Sequence, residues 1–488
     1  MKSHSSTFLF NKYNSKLVRI CNKAIKKNKV DLAADCIQVM ARLYYEWNQF
    51  YTDEFLEDKI SELAQLVIPP IKVNENSMGK KTILFYDGFG YDIRDLALIY
   101  LKALAQMNYK VIYLTTSSSI GKQPHIQNII ENSSIVREYF NTADSFKKKV
   151  KAIRNICIKY NPQVAFLYTN PDDVSGISVF QQLVGVKRYQ INLTDHAFWL
   201  GINAFDYCIE FREYGKYISE RYRGIASDKL IKLPYYSYVD KRIPLKEVPF
   251  DLDKYRIICS GGALYKTMDD NRTFYKIIDT ILRKYNDVLF LYIGNGDDTQ
   301  LQLLKQQYGE RVQYLRERDD FFQIMQHAYL FINTYPVSGA LMTQYAAMAG
   351  LLPVTLLHDD ESQLILNNHK TLDIEFDSVN KLYEEIDKLL VDIEYMNRKK
   401  KLLANCVISE VKFNDELKKL ISDGVTSFCF ERDLEFEVSK FKDIYIKTFN
   451  KKKCIDIIAQ KRLISKFPVE SLTKVLNKIF NRICGGNK

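Results

Sequence analysis

From Lys81 to Leu357 the chain repeats one pattern: a short apolar run, a turn of small or polar residues, then an amphipathic stretch. Runs of this kind fold as βαβ units, because parallel strands need a crossover and the crossover helices cover the sheet faces. KTILFYD (81–87), a turn at 88–91, the helical LALIYLKALAQMN (96–108) and KVIYLTT (110–116) make one such unit. QVAFLYT, KRYQINLT, DYCIEFR and KLIKLP extend it to about residue 245. The pattern restarts at YRIICSGG (255–262) and runs through VLFLYIGNG, VQYLRE, YLFINTYP and LPVTLL, each separated by a helical segment. Between the two series lies VDKRIPLKEVPFDLDK, with two prolines and many charges, which reads as a domain linker. The expectation is an α/β protein with two parallel-sheet domains facing each other across a cleft, since open α/β sheets bind ligands at the carboxyl ends of their strands.

The flanks differ. LVRICNKAIKKNKVDLAADCIQVMARLYYEWNQF (17–50) carries apolar residues at helical spacing without Gly or Pro, and Pro69-Pro70 ends that region. Residues beyond about 375 also read as helices. The predicted organisation is therefore 1–75 helical accessory domain, 76–245 first α/β domain, 246–375 second α/β domain, and 376–488 helices with a basic tail. A chain of 488 residues is too long for one core, and 47% hydrophobic with 26% charged residues is ordinary globular composition. The N-terminus has no apolar signal-type run and no segment approaches the length of a membrane span, which predicts a cytoplasmic protein. Nine cysteines without CxxC pairing indicate neither a disulfide framework nor a zinc site. The net charge of +11 is concentrated in residues 441–488, where twelve Lys and Arg face three acids. That distribution argues against nucleic acid as partner. Within the tail, FPVESLTKVLNKIFNRI (467–483) is amphipathic and basic, and either docks on a domain or lies on the inner face of an anionic membrane.

Three turns have residues suited to an anion. Asp87-Gly88-Phe89-Gly90 follows a strand and precedes a helix; Gly88 and Gly90 let backbone amides approach a phosphate or sugar, or simply close a tight turn. Ser260-Gly261-Gly262-Ala263-Leu264-Tyr265-Lys266 follows the first strand of the second domain, and Lys266 supplies positive charge for a departing diphosphate. Asn333-Thr334-Tyr335-Pro336-Val337-Ser338-Gly339-Ala340 puts Ser338 and Gly339 at a helix N-terminus, where free N–H groups and the helix dipole favour an anion, and where Ser is also an ordinary cap. Neither GxGxxG nor GxxxxGK[ST] is present, so a dehydrogenase or a P-loop NTPase is not indicated. Asp92, with Asp87 and Asp95, is a candidate for binding acceptor hydroxyls or assisting deprotonation, against the competing reading of helix-start carboxylates. Glu361, in His358-Asp359-Asp360-Glu361-Ser362, is a candidate sugar contact or a turn residue. No DxD cluster ends a strand, so no metal and no other cofactor is expected.

The order LYK, then NTYPVSGALMTQYAAMAGLLPVTL, resembles the catalytic region of the O-linked N-acetylglucosamine transferases and their bacterial relatives, the adhesin N-glucosyltransferases. The resemblance implies a GT-B architecture of two Rossmann-like domains, the first on the acceptor side and the second on the nucleotide-sugar side. It implies that Lys266, Ser338, Gly339 and Ala340 contact the donor diphosphate, that Arg316 and Arg318 in YLRER hold the nucleobase, and that Thr343 and Tyr345 belong to the donor set. Tyr345 occupies the position where the family has a ribose-holding acid, and Ala340-Leu341-Met342 replaces its His-Thr-Thr run. Asn192-Leu193-Thr194-Asp195-His196-Ala197-Phe198-Trp199 resembles the family's His loop, so His196 joins Asp92 and Lys266 as a catalytic candidate, with a buried structural histidine as the alternative. The function so implied is a bacterial, metal-independent glycosyltransferase that moves a sugar, UDP-linked in this family, to a surface-glycan or protein acceptor. Two rivals share the scaffold: a nucleotide-sugar epimerase, and a catalytically silent partner of an active transferase.

Overall fold

The computed structural model describes residues 2–73, 81–91, 96–240, 242–357, 365–431, 435–436, 438–461 and 463–468. Asp92, Glu361 and most of the amphipathic basic segment lie outside the described residues. The chain divides into two compact units, one comprising Met1–Glu210, Gly215–Ile231 and Val438–Lys488, the other Phe211–Tyr214 and Lys232–Glu437.

The first unit opens with helices α1 (Lys2–Lys26), α2 (Val30–Trp47) and α3 (Glu54–Val67). Helix α2 buries Ala33, Ile37, Met40, Ala41 and Tyr44, the stripe its three-to-four spacing calls for. Asn48 stops it in the left-handed conformation at φ 45°, and Asp53 caps α3 by accepting from the Leu56 N–H. Then β1 (Ile71–Lys72) leads into β2 (Thr82–Asp87), α4 (Leu96–Ala105), β3 (Lys110–Thr116), α5 (Pro124–Glu131), β4 (Val136–Phe140), α6 (Phe146–Tyr160), β5 (Val164–Tyr168) and α7 (Val174–Phe180). β6 (Leu183–Val184), β7 (Lys187–Ile191), β8 (Tyr207–Glu210), α8 (Glu213–Arg221) and β9 (Leu230–Lys232) follow. β1 pairs with β6, and the seven-stranded sheet has the order β4-β3-β2-β5-β7-β8-β9. All six residues of β2 are buried, as a parallel strand covered on both faces requires.

The second unit contains β10 (Arg256–Gly261), α9 (Thr273–Lys284), β11 (Val288–Ile293), α10 (Thr299–Tyr308), β12 (Val312–Leu315), α11 (Phe321–Gln326), β13 (Leu330–Ile332), α12 (Ala340–Met348), β14 (Pro353–Leu356) and β15 (Glu375–Phe376). Three helices, α13 (Val379–Val391), α14 (Ile393–Ala404) and α15 (Glu410–Asp423), complete it. Its six-stranded parallel sheet has the order β12-β11-β10-β13-β14-β15. Alternate residues of β10 feed opposite cores: Ile258 packs on one face of the sheet, Ile257 and Cys259 on the other. In sequence terms each sheet runs outward from its first strand and then reverses, between β2 and β5 in one and between β10 and β13 in the other. Crossovers leave a reversal point on opposite faces, so a crevice opens there at the strands' carboxyl ends.

Two features depart from the boundaries read off the sequence. Residues 232–255 belong wholly to the second unit rather than dividing at 245, because α12 and the loop after β12 hold their backbone. Gln344 donates to the Tyr235 carbonyl and accepts from the Ser237 hydroxyl (2.8 Å), and the Lys246 N–H donates to Asp320 (2.7 Å). The C-terminal segment divides as well: α13 to α15 stay with the second unit, whereas α16 (Ser439–Thr448) and α17 (Lys451–Gln460) return to the first and pack on α1 and α2. Among the described residues no helix is long and apolar enough to cross a membrane.

Candidate functional site

In the second unit, the two turns singled out in the sequence flank the reversal between β10 and β13. Strand β10 ends in glycines for a steric reason: Gly262 has φ +118°, and a side chain on neighbouring Gly294 would sit 1.8 Å from the Gly262 carbonyl oxygen. The turn is then fixed by backbone bonds, Gly262 N–H to the Ile293 carbonyl and Leu264 N–H to the Asn295 carbonyl (both 2.9 Å). A short 3-10 turn, Leu264–Thr267, carries Lys266, and Thr267 locks it by donating to the Leu264 carbonyl (2.7 Å).

The second turn is organised by Asn333, which is 2% exposed at the end of β13. Its Oδ1 accepts from the N–H groups of Thr334 and Gly339 (both 2.9 Å), and its Nδ2 donates to the Ser338 hydroxyl oxygen (2.8 Å). The Gly339 amide is therefore not the free donor that the sequence suggests. The Ser338 hydroxyl, which accepts from Asn333, keeps its own hydrogen to donate. Beyond Gly339 the first turn of α12 presents the N–H groups of Ala340, Leu341 and Met342. They have no partner among the described residues, and the first intrahelical bond is made by Thr343.

These turns meet. The Val337 N–H donates to the Lys266 carbonyl (3.2 Å), and a Cβ on Gly262 would contact Met342 at 3.8 Å. The Lys266 side chain is half-buried, and burial pulls its ammonium below the ordinary lysine range. Among the described residues it makes no ion pair and no side-chain hydrogen bond. A half-buried cation with no counter-ion among the described residues, on a turn whose backbone is bonded to the loop that opens α12 and its unused N–H groups, is an arrangement that an anion can complete.

Other sequence candidates in this unit have different duties. The Arg318 guanidinium is taken up by Asp320 (2.7 and 2.8 Å) and by the Lys246 and Glu247 carbonyls, so it clamps residues 246–247. Asp320 in turn raises the Arg318 pKa further. Arg316 is exposed two residues earlier. Tyr345 donates to the Tyr238 carbonyl (2.6 Å), and buried Thr343 donates to the Ala340 carbonyl (2.7 Å); both hydroxyls are committed to structure.

In the first unit the turn after β2 is built around Asp87. The buried carboxylate accepts from the Phe89 and Gly90 N–H groups (2.9 and 3.0 Å), from the Tyr113 hydroxyl (2.7 Å) and from Gln123 (3.1 Å), while the Gly88 N–H donates to the Tyr168 carbonyl (2.8 Å). Every amide of this turn is thus occupied, and Gly88 and Gly90 sit in a tight structural turn. His196 lies on a loop pinned from three sides. Asn48 donates to the His196 carbonyl and accepts from the Phe198 N–H (both 3.1 Å), and buried Arg223 donates to the Thr194, Asp195 and Ala197 carbonyls (3.2, 3.0 and 2.8 Å). Glu57 of α3 accepts from the Gly201 N–H (2.7 Å). The imidazole is 34% exposed, with Nδ1 3.4 Å from the Asp195 carboxylate. Sequence reasoning missed Asn333, Asn48, Arg223 and Glu57 as organisers. Only Asn333 and Asn48 left a signal, the one heading its motif and the other sitting just past a helical run. Among the described residues no three His, Cys, Asp or Glu side chains gather as metal ligands.

No protein-family model matches the chain, and no curated protein sequence matches it. Solved structures do. A mutant O-GlcNAc transferase from Thermobaculum terrenum superposes with a TM-score of 0.53 at 12% identity, covering 85% of this chain and 83% of that one. A glycosyltransferase from Rickettsia africae gives 0.51 at 13% identity over 71% of this chain and 100% of its own. A protein assigned as UDP-N-acetylglucosamine 2-epimerase from Listeria monocytogenes gives 0.50 at 11% identity, over 73% and 100%. At these identities the likeness shows the fold. The chain has the GT-B architecture, with one Rossmann-like parallel sheet in each unit.

Proposed function

We propose that the chain is a glycosyltransferase whose second unit binds a nucleotide-sugar donor, UDP-linked, and whose first unit serves a glycan or protein acceptor. The observation that carries this reading is the half-buried Lys266 ammonium, without an ion-pair or hydrogen-bond partner among the described residues, on a turn tied through its backbone to the loop that opens α12. In transfer, the acceptor oxygen bonds to the anomeric carbon as the bond to the diphosphate breaks and the acceptor's proton is released; the nucleoside diphosphate leaves with the electron pair. Negative charge then grows on the diphosphate, and fixed donors aimed at it lower the barrier without a metal ion. Lys266, the Ser338 hydroxyl and the N–H groups of Ala340 to Met342 are those donors, and in the first unit His196 on its braced loop serves the acceptor. The GT-B fold, shared with glycosyltransferases, supports this reading.

The test is a thermal-shift screen against UDP-, GDP- and ADP-linked sugars, since a ligand that binds the native state raises its melting midpoint. A shift with UDP-sugars is expected, and no shift with any of them contradicts the proposal. Incubating the active donor without acceptor separates transfer from epimerisation, because an epimerase converts the donor on its own.

A further inference from the structure

We infer that the first unit carries its own binding site for an uncharged, hydroxyl-rich ligand of saccharide chemistry, in a cavity between its sheet and helix α2. In making that ligand the acceptor, the inference rests on the reading of the chain as a glycosyltransferase.

The cavity measures about 380 Å³, within the range of small-molecule sites. Its floor is the reversal point of the seven-stranded sheet: the turns after β2, β3, β4 and β5 all contribute to it, and α2 closes one side. That is where open parallel sheets take ligands, and here the helical N-terminal region supplies a wall that the sheet alone lacks.

The lining specifies the chemistry. The lining holds both signs, Arg42 (paired with Glu46 at 2.9 Å) and Lys149 with Asp172 and Asp173, so neither charge dominates it and a neutral ligand is favoured. Asp173 is already committed, accepting from the Tyr86 hydroxyl (2.6 Å) and the Gly176 N–H (2.9 Å). Asp172 is not. Its Oδ2 accepts from Gln38 (3.2 Å), and among the described residues no side chain donates to Oδ1. The Lys149 ammonium likewise has no hydrogen-bond or ion-pair partner among the described residues, and burial lowers its pKa. An acceptor and a donor with capacity to spare in one cavity suit the hydroxyls of a sugar ring. Tyr45 and Tyr91, which carry Arg42 (5.0 Å) and Lys122 (5.5 Å) over their rings, add aromatic surface to the lining.

The experiment is ligand-observed saturation-transfer NMR on the full chain with the methyl glycosides of glucose, galactose and N-acetylglucosamine. It is run on the wild type and on Asp172→Ala and Tyr45→Ala, each first shown to keep the wild-type melting transition. The expected result is transfer to at least one glycoside, weakened about tenfold in Asp172→Ala, as loss of a charged hydrogen-bond acceptor predicts, and reduced in Tyr45→Ala. The UDP-induced thermal shift should be unchanged in both variants. Absence of transfer from all three glycosides, or equal transfer in wild type and both variants, overturns the inference. A UDP shift that persists in that case leaves the donor reading standing. Glycoside binding without any UDP shift keeps the cavity and removes the donor reading.

Discussion

At the scale of single residues, what separates binding candidates from structural groups is which polar atoms are already satisfied. Arg318, Tyr345 and Thr343 were as prominent in the sequence as Lys266, and each proves to be consumed by neighbours: Asp320 and two carbonyls, the Tyr238 carbonyl, and the Ala340 carbonyl. A sequence displays the donor and not its partner, so this sorting was not legible there. Lys266 is the group left over. Because burial lowers its pKa, the cation that would bind a diphosphate is lost at a lower pH than for a solvent-exposed lysine. UDP affinity measured by calorimetry should therefore weaken as pH rises from neutrality toward the ordinary lysine range. Lys266→Arg, which stays charged, should bind UDP with a flatter profile. Identical profiles would assign the dependence to another group.

At the scale of elements, the turns were legible because their glycines and small residues punctuate apolar runs, and nearly every strand of the second unit was found at its place. In the first unit β4 was not: VREYF has four of five residues at least partly exposed, as an edge strand allows, and so shows no apolar run. The bracing of the His196 loop was also hidden, since Asn48 and Phe198 lie 150 positions apart. Asn48 does two things there, adopting a left-handed conformation at φ 45° and donating and accepting across to the loop. Asn48→Gly loses the hydrogen bonds but keeps the backbone freedom, whereas Asn48→Ala loses both. Denaturant unfolding should show Asn48→Ala less stable than Asn48→Gly by about 1 kcal/mol. Amides around Phe198 should exchange faster in both variants, and equal stabilities would mean that the left-handed cap carries no strain.

At the scale of the whole molecule, the two-domain α/β plan and the helical flanks followed from periodicity, while the path of the chain did not. That the segment holding α16 and α17 returns to the first unit depends on which helix faces find each other, as these two do on α1 and α2. The adjacency of Lys266 and Val337, 71 residues apart, depends on the strand order that sets β10 beside β13. Stability as a whole should respond to two buried acids of the first unit, Glu57 and Glu210, whose carboxyls burial pushes up to about 7. Between the ordinary carboxylate range and that value the folded state binds more protons than the unfolded one. Stability is then highest at the acidic end of this window and falls as pH rises through it, by on the order of a few kcal/mol per group. Melting midpoints recorded across this window should decline in the wild type and decline less in Glu57→Gln; parallel curves would contradict the assignment. The central claim is that two turns at the reversal of the second sheet form a single diphosphate seat. Calorimetric titration of UDP and of uridine into the wild type and Lys266→Ala tests it most directly. UDP should bind the wild type and weaken roughly tenfold to a hundredfold in the variant, as removal of a charged hydrogen bond implies, while uridine is unaffected; equal UDP affinity for both proteins, or no UDP binding to either, would mean that no such seat exists.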